Sequence, residues 1–132
     1  MQAAKISPEE ERLRLADSLA ESIVELSSKV LSKKRNPKYI ALKVGDGPYS
    51  NVVTVRWQED TVSFHIPSSD LEEQAIAEGF NPENQHARRP FFRHKRYFHG
   101  LTLADLQKHE PLFRAIVKDS TEYILSRRPK EK

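Results

Sequence analysis

The sequence predicts an α+β domain, an antiparallel meander of three to four strands packed against a long N-terminal helix and a C-terminal helix. Three observations carry that expectation. Near both ends of the chain apolar residues recur at alternating intervals of three and four, the spacing of one helix face. In the middle the period drops to two, with Val53, Val55 and Trp57 opposing Val52, Thr54 and Arg56, and Val62, Phe64 and Ile66 opposing Thr61, Ser63 and His65. Turn-forming residues separate these segments at hairpin spacing. At 132 residues the chain suffices for one modest core, so a single domain is expected over 1–132, with short flexible ends at about 1–6 and 129–132.

Each element has a local cause. Ser7, Pro8 and Glu10 supply an N-cap, a first-turn proline and a capping-box acid. The stripe Ala16, Leu19, Ile23, Leu26 and Val30, widened by Leu15, Val24 and Leu31, extends this helix over about 8–33. There Lys33, Lys34 and Arg35 suit the negative end of the helix dipole before Asn36 and Pro37 stop it. Strands follow at Tyr39–Val44, Asn51–Gln58 and Thr61–Ile66, the first two joined by Gly45-Asp46-Gly47-Pro48 and the last two by Glu59-Asp60. Ser68 or Ser69 caps a short acidic helix over Asp70–Glu78 that Gly79 closes, and Asn81–Pro90 reads as a loop. A fourth strand is expected at Arg96–Leu103. The closing helix begins at Pro111 and carries Leu112, Phe113, Ile116, Val117, Ser120, Tyr123 and Ile124 on one face, ending at Arg127-Arg128-Pro129.

Composition narrows the chemistry. The absence of cysteine excludes disulfides and thiolate metal sites and is compatible with a reducing compartment. No apolar run is long enough for a membrane span, and no signal peptide is readable, so a cytoplasmic protein is expected. The net charge of +3 is unevenly spread: residues 32–58 hold six Lys and Arg against one acid, 59–83 hold seven acids and no Lys or Arg, and 84–104 hold five Lys and Arg and no acid. Such blocks either polarise the surface or neutralise one another within the fold.

The densest cluster of chemistry lies between Arg88 and His99. Arg88, Arg89, Arg93, Lys95 and Arg96 can neutralise phosphates, and Phe91, Phe92 and Tyr97 can stack on unpaired bases. The alternative is a strand with Phe91, Phe92, Tyr97 and Phe98 in the core and cations on its solvent side. Lys33, Lys34 and Arg35 make a second basic cluster, and the tail Arg127-Arg128-Pro129-Lys130 a third; together on one face they would form a phosphate-contacting surface. The five histidines match no metal-ligand spacing, and His65, alternating with Phe64, is expected on the exposed side of its strand.

Catalytic patterns are missing. Gly45-Asp46-Gly47 lacks the Lys-Ser/Thr of a phosphate-binding loop, and the chain has neither a Gly-x-Ser-x-Gly elbow nor a cysteine nucleophile. The order helix, three strands, helix, strand resembles the core of restriction-endonuclease-like metal nucleases. Yet Thr61–Ile66 carries no Glu-x-Lys, and Asp46, Glu59 and Asp60 lie in turns. No cofactor or metal is therefore expected.

Lys38-Tyr39-Ile40-Ala41-Leu42-Lys43, the hydrophobic hairpin after it and the closing run from Leu112-Phe113 to Glu122-Tyr123 resemble the small domain labelled "predicted transport protein". The resemblance spans about 38–125, and the segment around 79–96 departs from it. It implies a run of strands followed by a C-terminal helix, in company with restriction-type or other defence proteins, and brings no catalytic residue. The expected function is a non-enzymatic module that binds nucleic acid, DNA or RNA, through a basic and aromatic surface. The alternative is a protein-interaction or oligomerisation domain serving as an accessory subunit.

Overall fold

Ser7 starts the first helix, α1 (Pro8–Leu26), its Oγ accepting from the Glu10 N–H at 3.1 Å. In the computed structural model, which describes residues 7–29, 31–45, 50–84, 88–89 and 92–127, this helix ends a full two turns before residue 33. Ser27 adopts an extended backbone and its side chain accepts from the Lys29 N–H at 3.2 Å, a local bond that competes with continuing the helix. Ser32–Arg35 then forms a strand, β1, so Lys33, Lys34 and Arg35 belong to a sheet edge and not to a helix end.

Four more strands follow, β2 (Ile40–Lys43), β3 (Asn51–Arg56), β4 (Thr61–His65) and β5 (Lys95–His99). They form one sheet in the order β1-β2-β3-β4-β5, antiparallel at every pairing. The meander thus gains an edge strand beyond the three or four expected. Its exposed cations guard that edge against pairing with other chains.

Between β4 and β5 lies α2 (Ser69–Ala77), capped by Ser68 Oγ on the Leu71 N–H at 3.4 Å. It closes in a Schellman motif: the Phe80 N–H reaches Ala75 O at 2.9 Å and the Gly79 N–H reaches Ile76 O at 3.1 Å. Gly79 has φ +101°, a conformation that side chains resist, and the turn delivers Phe80 to the core. The strand expected to run to Leu103 stops at His99. Thr102 instead caps a further helix, α3 (Leu103–Lys108), in a reciprocal capping box with Asp105. The closing helix, α4, spans Glu110–Arg127.

Period two divides the sheet. Ile40, Leu42, Val53, Val55, Val62, Phe64 and Phe98 occupy one face by register, and α1 and α4 pack there. Phe113 of α4 meets Phe98 and Phe64 with ring centroids 5.8 and 6.3 Å apart, and Phe80 closes the cluster at 5.1 Å from Phe113. Deeper along α4, buried Ser120 bridges two strands: its hydroxyl donates to Val52 O at 2.6 Å and accepts from the His65 N–H at 2.9 Å.

His65, expected to be exposed, is buried and stacks on Tyr123 at 5.1 Å. Its strand lies inside the sheet and α4 reaches that end, so alternation alone did not leave it in solvent. Burial, helped by the nearby charges of Lys95 and His94, pushes its pKa down to about 3.

Two outcomes follow. Ser120→Ala leaves Val52 O and the His65 N–H without a shared partner and should cost about 1–3 kcal/mol by urea denaturation, with an unchanged m-value. Because the unfolded chain protonates His65 near pH 6.5 and the fold resists protonation down to about 3, its stabilising contribution is present above 6.5 and is lost as pH falls through that window. Thermal stability should drop by up to about 1.4 kcal/mol per pH unit from this group, and His65→Gln should flatten the slope.

Candidate nucleic-acid interface

The other face of the sheet is built by the same register. Lys34, Ala41, Thr54, Ser63 and Tyr97 pair in one continuous row across all five strands. On one side of it stand Lys43, His65 and Lys95, and on the other Arg56, Thr61 and His99. The centre of the row is small and buried, so the longer residues around it form its relief.

Those longer residues are basic and aromatic. The Lys95 ammonium lies 5.1 Å from the centre of the Phe92 ring and 5.4 Å from that of Tyr97. Arg56 covers the ring of Tyr39, just before β2, at 5.2 Å. Phe92 and Lys95 also wall a depression of about 140 Å³ whose floor is Val52, Thr54, Ser63 and His65. Inside it the Ser63 hydroxyl is buried and, among the described residues, has no hydrogen-bond partner.

Burial lowers the Lys95 pKa to about 8, with the Arg56 charge adding to the effect. Burial likewise raises that of the Tyr97 phenol. A cation held partly out of water beside another cation is poised to gain from an arriving anion. Two acids beside this face are engaged: Glu59 lies 4.0 Å from Arg56, and Glu83 is 2.9 Å from His99.

The basic stretch is thereby split. Lys95 and Tyr97 belong to this face, whereas Arg96 points to the helix side and is bound by Glu72 of α2, and Phe98 is in the core. Tyr97 is itself buried, which leaves half-buried Phe92 and Tyr39 as accessible rings of this face among the described residues. Arg88, Arg89 and Arg93 are exposed on the loop leading into β5. That loop is tied to β5 by paired backbone bonds between Glu83 and Tyr97 at 3.0 and 2.8 Å, and its two ends are joined by Asn84 Nδ2 donating to Arg93 O at 2.6 Å. Phe91, His86 and the basic tail beyond Arg127 lie outside the described residues.

The second basic cluster is split in the same way. Lys34 shares the row with Tyr97, while Lys33 faces α1 and is neutralised by Asp17 at 2.7 Å and Glu21 at 2.5 Å. Arg35, paired with Ile40, is on the helix side of the edge and exposed. Sequence reasoning missed Tyr39, Lys43 and Arg56. Their signal was parity: in the hairpin register these three alternate with the apolar residues that face the helices.

Among the described residues no group of three His, Asp or Glu side chains could hold a metal ion, and no helix is long and apolar enough to cross a membrane. Compared with protein-family models, curated proteins and solved structures, the chain matches none.

The Lys95 environment can be checked directly. Its side-chain resonances should titrate near pH 8, about two units below an ordinary lysine. Phe92→Ala, which opens the ammonium to water, should move that midpoint upward; an unmoved midpoint would show that Phe92 does not shield it.

Proposed function

We propose that this domain is a non-enzymatic nucleic-acid-binding module that holds a single strand, DNA or RNA, on the outer face of its sheet. One observation carries the reading: Lys34, Lys43, Arg56 and Lys95, from four different strands, share that face with Tyr39, Phe92 and Tyr97. Cations spread across a sheet suit a flexible phosphate backbone, and half-buried rings offer planes to splayed bases. Duplex DNA presents its base edges in grooves that a broad sheet face does not enter as an isolated helix or ribbon does. Arg88, Arg89 and Arg93 extend the positive field from the neighbouring loop. In the setting implied by the resemblance to the predicted transport protein domain, the module would act as an accessory to restriction-type or other defence proteins.

Titrating labelled mixed-sequence single strands at several salt concentrations tests this. With three or four phosphates neutralised, log K should fall against log salt with a slope of about −2 to −3. Lys34→Glu, at the edge farthest from the Arg88 loop, should weaken binding and make the slope shallower. Absence of binding even at low salt would refute the proposal.

A pH series adds a second readout. Lys95 carries its charge below pH 8 and loses it above, so affinity should decline from pH 7 to 9. Lys95→Arg should bind with little dependence over that range.

A further inference from the structure

The helix side of the molecule holds a larger cavity. It is a cleft of about 600 Å³ between α1, the β3–β4 turn and the segment joining β5 to α3. Leu15, Leu19, Val62, Leu101 and Leu103 give it apolar walls. Leu15, which the helical stripe placed on the packing face, is 51% exposed at this opening. A volume of this size is in the range that encloses a small organic molecule.

Trp57, which lines the cleft, is only 8% exposed. Its indole N–H is buried and, among the described residues, has no hydrogen-bond partner. A buried donor of this kind costs free energy unless an acceptor reaches it, and one entering from the cleft reaches it once the indole turns toward that space. The charged groups at the cleft balance: Arg12 and Arg56 are matched by Glu59 and Asp60. An anion buried against one neutral N–H would therefore lack a counter-charge, whereas a carbonyl oxygen would not need one.

We propose that this cleft binds an uncharged, largely apolar small molecule bearing a carbonyl acceptor, ester, amide or ketone, which receives the Trp57 indole N–H while its apolar body lies along Leu15, Leu19 and Leu101. The site lies on the helix side of the sheet and shares Arg56 and Thr61 at its rim with the outer face, and its test does not depend on nucleic-acid binding.

Trp57 is the sole tryptophan, so its indole N–H gives one resonance in an isotope-labelled sample of the full chain. Methyl nonanoate, an uncharged chain with one carbonyl, is titrated beside nonanoate, the matched anion. The ester should bind saturably and move the indole resonance downfield, and the anion should bind at least about tenfold more weakly. By calorimetry, Trp57→Phe should weaken ester binding about two- to tenfold while keeping the apolar contact. Leu15→Glu, at an exposed position, should abolish it with the circular dichroism spectrum unchanged. An unmoved indole resonance, or equal affinity for the anion, overturns the proposal. So does a concentration-dependent dimer in sedimentation that Leu15→Glu disperses, because the cleft would then be filled by a second copy.

Discussion

Pairing of β5 with β4 is the constraint on which the remainder of the molecule turns. Once Tyr97 lies opposite Ser63 and Phe98 opposite Val62, the pleat assigns every residue of the basic stretch to one side or the other. Phe98 joins Phe64, Phe80 and Phe113 in the aromatic core. Arg96, on the same side, meets Glu72 and anchors α2. Lys95, Tyr97 and His99 are left on the outer face. A slip of one residue would bury Lys95 among phenylalanines and expose Phe98, an exchange of charge for apolar surface that the fold could not sustain.

The charge blocks of the chain are partly resolved by the same pairing. Arg96 with Glu72 and His99 with Glu83 each join a basic segment to the acidic one, while Arg56 only grazes Glu59 at 4.0 Å. What remains on the outer face is a smaller set of cations around small buried residues. There Lys95 is held against two rings at a lowered pKa, and His65 is kept neutral by burial. Groups whose charge is disfavoured by their surroundings lower the stability of the fold and are typical of surfaces that bind something. The Ser120 bridge offsets part of this cost by joining β3, β4 and α4 at the same end of the sheet.

Much of this was legible in the chain. The α+β class follows from two switches of hydrophobic period, and the starts of α1 and α2 from the Ser7 and Ser68 caps, because capping involves residues only three positions apart. Thr102 and Asp105 carry the same signal for α3, which was masked by reading the apolar residues before them as the continuation of a strand. Tyr39, Lys43 and Arg56 were visible as residue types but not as neighbours, since what unites them is register.

Local chemistry therefore determined the kinds of element, their caps and the alternation within each strand, all of which depend on contacts a few residues apart. Only the tertiary structure decided that Ser32–Arg35 is an edge strand, that Lys33 and Arg96 are taken up by acids of other elements, and that His65 is buried. It also decided that Trp57 lines a cleft. Each of these depends on partners distant in sequence, and alternation gives two faces without saying which one the helices will cover.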